Sequence, residues 1–301
     1  MGRLGEPDGF HDRHDWIHEI DIIADPDCLR VLCDCRPPSV LRGTGKGVEM
    51  AGVGTGDADP ARTLALLWRQ PVTARHGPAQ RLSVDAVVDA AIALADSDGL
   101  VAVSMRRLAD RLSVAAMTLY TYVPTKGLLL DLMLDSVYAA MQRQDTSGQG
   151  WRSRVTAIAE ENRALFEAHS WAVRVASNRP PLGPGQLAKY EHELRALEGL
   201  GLPDVEQDAA VGYVLGFVRM YAIDAGSARA ARRDSDVDDQ QWWAVHGPLL
   251  ARLVDPARFA TAVRVRAAAG AAHGSAWSAE HAWSFGLGRV LDGLAALIER
   301  Q

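Results

Sequence analysis

From residue 83 onward, apolar positions recur at three- and four-residue intervals. Such spacing builds one buried face along a helix. In SVDAVVDAAIALADSDG, Val84, Val87, Val88, Ala91, Ile92 and Leu94 share that face. Ser83 stands as the N-cap, Asp85 in the first turn suits the helix dipole, and Gly99 closes the helix. A second helix, SMRRLADRL, opens on Ser104, turns Leu108 and Leu112 inward, and ends at the tight turn Ser113-Val114. A third runs from about Ala115 to Tyr122 and stops before Pro124, because a residue preceding proline avoids the α region. A fourth, long and apolar, opens at Thr125-Lys126 with LLLDLMLDSVYAAM. No stretch combines period-two alternation with β-branched residues, so the chain is predicted to be all-α.

The pattern also divides the chain. Residues 1–60 have no sustained helical period and carry a Gly-rich run, RGTGKGVEMAGVGTGDADP. They read as a disordered leader with weak elements near 17–24 and 29–33. Met50 follows Gly-Lys-Gly-Val-Glu, whose codons can spell a purine-rich ribosome-binding tract, so a native start at Met50 is an expectation that N-terminal sequencing would check. Residues 61–80 read as a linker or arm: the short apolar piece ARTLALLW, then the basic RQPVTARHGPAQR. Residues 81–127 read as a helix-turn-helix domain, and 128–301 as a helical bundle.

Composition narrows the function classes. The 301 residues are 48% hydrophobic and 23% charged, enough for a real core under an ordinary polar surface. No apolar run reaches the ~18–20 residues of a membrane span. The start lacks the basic and apolar regions of a signal peptide, so a cytoplasmic protein is expected. A net charge of −6 argues against a general nucleic-acid coat but leaves room for a local DNA-binding surface. Cys28, Cys33 and Cys35 cluster in CLRVLCDC, and the nearby Asp34, His18 and His14 complete no metal-ligand spacing, so free thiols are expected. There is no phosphate loop, no nucleophile elbow and no paired carboxylates in an apolar setting. The reading is therefore of a non-enzyme without a cofactor.

One stretch does not fit a purely structural role. MTLYTYVPTK, residues 117–126, carries two tyrosines and three threonines, with both tyrosines, Thr118 and Thr121 on a short helix of an otherwise Ala-, Leu- and Val-rich chain. Leu119 and Val123 anchor it inward, which turns Thr118, Tyr120, Thr121 and Tyr122 to its other faces. Together with SMRRLADRLSV, this stretch resembles the DNA-binding domain of the tetracycline-repressor (TetR) family over Leu82–Met141. Ser113 stands where that family commonly has glycine, Gly127 where an acidic residue is common, and Ala115 and Ala116 where base-reading side chains often sit.

The resemblance implies a homodimer that sets two recognition helices in successive major grooves of a double-stranded DNA operator. The implied DNA-binding set is Ser104, Met105, Arg106, Ala116, Met117, Thr118, Tyr120, Thr121, Tyr122 and Lys126. By chemistry, Lys126 at a helix start and the hydroxyls of Tyr120 and Tyr122 suit phosphates. Arg106 suits a guanine edge, and Ala116, Met117 and Thr118 suit thymine methyls. The linker basics Arg69, Arg75, His76 and Arg81 suit an arm on the DNA backbone or in the minor groove. Arg107 and Arg111 read as solvated or paired with Asp110.

HSWAVRVASNRPPLGPGQLAKYEHELRALEGLGL, AAVGYVLGFVRMYA and the terminal FGLGRVLDGLAALI resemble the ligand-binding domain of the same family, whose last two helices pair in a dimer's four-helix bundle. Gly212, Gly216, Gly286, Gly288 and Gly293 would permit close helix approach there, either between copies or within one chain. The charged ARAARRDSDVDDQQWW, residues 228–243, reads as a mobile loop. A small-molecule effector is expected among aromatic side chains, with Trp171, Arg174, Tyr190, Tyr213, Phe217, Met220 and Trp243 as candidates. These features predict a ligand-responsive repressor. A ligand-binding helical protein with a silent DNA-binding domain remains the alternative, kept open by Ala115 and Ala116, and a helical enzyme on the same body is a third.

Overall fold

The computed structural model describes residues 59–70, 82–177 and 179–299. The cysteines, the weak N-terminal elements, the Met50 start and the arm residues Arg75, His76 and Arg81 lie outside them. Among the described residues the chain is all-helical, as the periodicity predicts, and no helix is long and apolar enough to cross a membrane.

Three helices form the head: α2 (Val84–Asp98), α3 (Met105–Leu112) and α4 (Ala116–Tyr122). Each start follows its local chemistry. The hydroxyl of Ser83 accepts from the Ala86 N–H, and that of Ser104 from the Arg107 N–H. Val87, Val88, Ala91, Leu108, Leu119 and Val123 close the core. Before the head lies α1 (Pro60–Leu67), with Asp59 as its cap and Pro60 at its first position. It occupies residues 61–67 of the span 61–80 read as a linker. Its Leu66 and Leu67 are buried in the common core, so burial of one apolar edge overrides the apparent linker character.

The body is built around α5 (Lys126–Ala140). Nine of its residues are buried, and it packs against α1, α2, α7 (Ala172–Val175) and α8 (Pro184–Arg195). Its pairing with α8 is unusually close: a Cβ on Gly185 would lie 2.0 Å from the Asp135 carbonyl oxygen. α6 (Trp151–Ala168) packs on α9 (Asp204–Ser235), and α9 packs in turn on α12 (Ala279–Ile298).

The segment 228–243 is not a loop. Alanine and arginine are among the best helix formers, so α9 continues to Ser235. Asp236 then turns left-handed at φ 52°, and Asp238 starts α10 (Asp239–Leu253) in a reciprocal capping box with Gln241. α10 and α11 (Ala260–His273) form an outlying helical pair in which no residue is buried. Trp243 fills the space between them, and a Cβ on Gly270 would meet its indole nitrogen at 2.8 Å.

Candidate nucleic-acid interface and ligand cavity

The head joins α3 to α4 through Ser113, whose backbone is left-handed at φ 55°, ψ 43°. This is the position where glycine was missed in the sequence, and the serine bears the strain. The Val114 N–H bonds back to the Ala109 carbonyl at 3.0 Å and locks the turn. α4 then runs to Tyr122, and Val123 leaves it in extended backbone ahead of Pro124.

The outer face carries most of the predicted set. Met117 is 75% exposed and Tyr120 43%, and Arg106, Thr121 and Lys126 are also exposed. Ala116, Thr118, Tyr122 and Ser104 are half-buried. Two members differ from expectation. Met105 is 7% exposed and belongs to the core, since the first position of α3 turns inward beneath its cap. Thr121 donates its hydroxyl to the Thr118 carbonyl at 2.7 Å, which leaves it only lone pairs to offer, whereas a phosphate needs donors. Arg107 pairs with Asp98 at 2.7 Å rather than with Asp110. Arg69 is not free for an arm role: its guanidinium bonds Asp85 at 2.7 Å and the Leu66 carbonyl at 2.9 Å, fastening α1 to α2.

Lys126 is the first residue of α5, and the hydroxyl of Thr125 caps that helix by accepting from the Leu128 N–H at 3.1 Å. The ammonium and the first amides of α5 therefore share one corner of the head, an arrangement suited to an anion. Two further bonds fasten head to body. Asp96 on α2 is held by His169 Nδ1 at 2.9 Å and by the Trp171 indole N–H at 2.7 Å. Trp171 is thus a buried junction residue and not a cavity wall.

The other end of α5 borders a cavity of about 530 Å³ between α5, α6, α8 and α9, within the usual size of small-ligand sites. Leu134 and Tyr138 come from α5, Asn162 and Phe166 from α6, and Arg219 from α9. From α8 come Lys189 and Tyr190, whose hydroxyl donates to Asp208 at 2.7 Å. Lys189 and Glu193 are 5% and 1% exposed. They form an ion pair at 2.5 Å, and Asn162 Nδ2 donates to the same Glu193 oxygen at 2.8 Å. A buried pair of this kind repays its desolvation only when the remaining donors and acceptors are also met. Burial, and next the Glu193 charge, raise the Tyr138 phenol, so it stays protonated.

Of the ligand candidates read from sequence, Tyr190 borders this cavity. Phe217 packs at a tilt against Trp283, ring centroids 5.3 Å apart, in the contact of α9 with α12, where Gly286 makes room for it. Tyr213 and Met220 face outward, Arg174 is exposed on α7, and Trp243 sits within the outlying pair. Gly212 and Gly216 line the cavity, and a Cβ on either would meet nothing within 4 Å, so among the described residues no second helix lies against them. Sequence reasoning missed Tyr138, Asn162, Phe166, Lys189 and Arg219. The one available signal was the i, i+4 spacing of Lys189 and Glu193, which is the same spacing that surface pairs use.

The likeness to known proteins agrees with this anatomy. The family profile described as "Tetracyclin repressor-like, C-terminal domain" matches residues 145–298. The HTH-type transcriptional repressor DrrR1 of Streptomyces coeruleorubidus is 35% identical over 264 residues, 86% of this chain and 93% of its own length. An HTH-type transcriptional regulator of Saccharopolyspora erythraea is 43% identical over 146 residues, covering 47% of this chain and 62% of its own. Among solved structures, apo ActR from Streptomyces coelicolor superposes with a TM-score of 0.60 at 25% identity, covering 74% of this chain and 99% of its own. The same TetR family protein in complex with actinorhodin gives a TM-score of 0.60 at 27% identity, covering 73% and 99%. With a helix-turn-helix head, a helical body that holds a cavity, and a repressor matched along nearly its whole length, this chain belongs to the TetR family of ligand-responsive, DNA-binding transcriptional regulators.

Proposed function

We propose that the chain acts in the cytoplasm as a dimeric repressor that a small molecule releases from a palindromic operator. The observation that carries this reading is the placement of α5. Its first residue, Lys126, stands at the outer corner of the head, and its last turns supply Leu134 and Tyr138 to the cavity. A ligand that displaces the cavity end of this rigid helix displaces the head as well. Only ~1–3 kcal/mol of coupling is needed for a useful switch.

In this reading Lys126, Tyr120 and Tyr122 hold phosphates, Arg106 reads a base edge, and Ala116, Met117 and Thr118 lie against thymine methyls. Ser104 positions α3 through its cap. The two copies pair through the outward faces of α9 and α12, where Tyr213, Met220 and Phe285 are 55%, 64% and 59% exposed. A structure of the same fold in complex with a small molecule, actinorhodin, supports a small-molecule effector, and the cavity is the space of suitable size beside α5. Selection from a random duplex library tests the proposal. Enrichment of an inverted repeat whose half-sites lie a whole number of ~34–36 Å turns apart is the expected result. Recovery of no common sequence would favour the silent-head alternative.

A further inference from the structure

The cavity adjoins an open apolar groove at the surface, where Trp68, Leu182 and Leu187 are 46%, 66% and 55% exposed, and the polar atoms left open in the cavity describe what must enter. This inference rests on the effector reading above. The Asn162 amide donates to the Ile158 carbonyl at 2.9 Å and to Glu193 at 2.8 Å. Both partners are acceptors, so the orientation of the amide is determined: a flip would set oxygen against oxygen. Asn162 Oδ1 is then buried without a partner among the described residues, and so is Nε of Arg219, whose Nη2 is engaged by the Ala176 carbonyl at 2.7 Å. Both residues line the same chamber. One needs a donor and the other an acceptor. Lys189 adds further donors, because Glu193 engages it through one contact and an ammonium has three. Glu193 neutralises Lys189, and Asp208 also lines the chamber, so the open atoms and not the net charge set the preference, which is for a ligand that carries both a hydroxyl and an acceptor oxygen.

The groove beside the chamber is an annex of about 440 Å³ lined by Trp68, Pro181, Leu182 and Leu187. Pro180, Gln186, Tyr190 and Asp208 border both spaces, so they adjoin. The indole N–H of Trp68 is taken by the Leu182 carbonyl at 2.9 Å, which leaves only the apolar ring to face a ligand. Trp68 follows α1 and precedes the head, so the annex is partly built by the segment on the N-terminal side of the helix-turn-helix.

We propose that the effector spans both spaces: a hydroxyl donates to Asn162 Oδ1, an adjacent carbonyl or carboxylate oxygen accepts from Arg219 Nε, and an apolar substituent lies in the annex against Trp68. The probes are 4-butylsalicylate, its 2-O-methyl ether and unsubstituted salicylate, titrated by calorimetry into the full chain with operator release followed in parallel. The expected result is that 4-butylsalicylate binds about tenfold tighter than either of the others, the first difference reflecting the hydroxyl and the second the butyl chain. Asn162→Leu should erase the preference over the ether, and Trp68→Ala the preference over salicylate. Arg219→Gln should weaken all three probes, and it serves as the second test of the chamber should Asn162→Leu fail to fold. Equal affinities for the three probes, no heat from any of them, or preferences untouched by the variants would overturn the proposal. Selective binding without operator release would leave the ligand chemistry standing and remove the effector reading. Operator release by the three probes alike would do the reverse.

Discussion

The turn of the helix-turn-helix shows how a single residue bears the demands of a fold. Ser113 occupies a left-handed conformation at φ 55°, a region that costs a residue with a Cβ ~1–2 kcal/mol. Ser113→Gly relieves that strain but frees the unfolded chain, and the net expectation is a gain of about 0.5 kcal/mol in chemical denaturation. Ser104→Ala removes the cap of α3 and should lose about 1 kcal/mol. Both positions were legible in the sequence, because caps and turns are local. Thr121 and Met105 were not, since the partner of one hydroxyl and the inward tilt of one side chain depend on the packed head. Asp131, on α5, ionises only at about 6, because burial disfavours its charge. Its folded value lies above the ~3.9 of an unfolded aspartate. Its favourable contribution is therefore complete below pH ~4 and lost as pH rises through 6. Asp131→Asn should raise stability by about 1 kcal/mol at pH 7.5, a figure reduced for solvent screening at a half-buried site, and by almost nothing at pH 4.

At the scale of elements, α5 is the connection between cavity and head, and its packing on α8 is what holds it. Gly185 admits the backbone of α5, and the Gln186 N–H donates to the Asp135 carboxylate at 2.8 Å. Burial raises the Asp135 carboxyl, and the hydrogen bonds from Gln186 and Gly185 pull it back. Gly185→Ala places a methyl 2.0 Å from a carbonyl oxygen, so the expected loss is about 2–3 kcal/mol in urea unfolding. An ordinary loss of a few tenths would show that α8 stands further from α5. The helices themselves were readable from periodicity and caps. What escaped was α8, whose buried stripe is Gly185, Lys189 and Glu193 instead of aliphatic residues. A charged i, i+4 pair reads as solvent-facing, and only the helices on both sides of α8 bury it. The length of α9 escaped for the opposite reason: its acidic and basic residues suggested a loop, while its alanines and arginines favoured helix.

At the scale of the molecule, one chain leaves apolar surface that a second copy would cover. Tyr213 and Met220 on α9 and Phe285 on α12 are exposed, and Leu249 and Leu253 on α10 are 50% and 83% exposed. Met220→Glu with Phe285→Glu should convert a dimer to a monomer in sedimentation and reduce operator affinity with it, because an isologous pair presents both heads together. The central claim, that the heads of this dimer hold DNA through named phosphate contacts, is tested most directly by one titration. The fluorescence anisotropy of a labelled duplex from upstream of the chain's own reading frame is followed across a salt series, for the native sequence and for Tyr120→Phe and Lys126→Ala separately. Saturable binding is expected. Each phosphate contact made by a cation contributes ~0.9 to the slope of log affinity against log salt. Lys126→Ala should therefore flatten the slope by about 2 per dimer, whereas Tyr120→Phe should weaken binding and leave the slope unchanged. An unaltered slope in Lys126→Ala, with affinity equal to that of the native chain, would contradict the account.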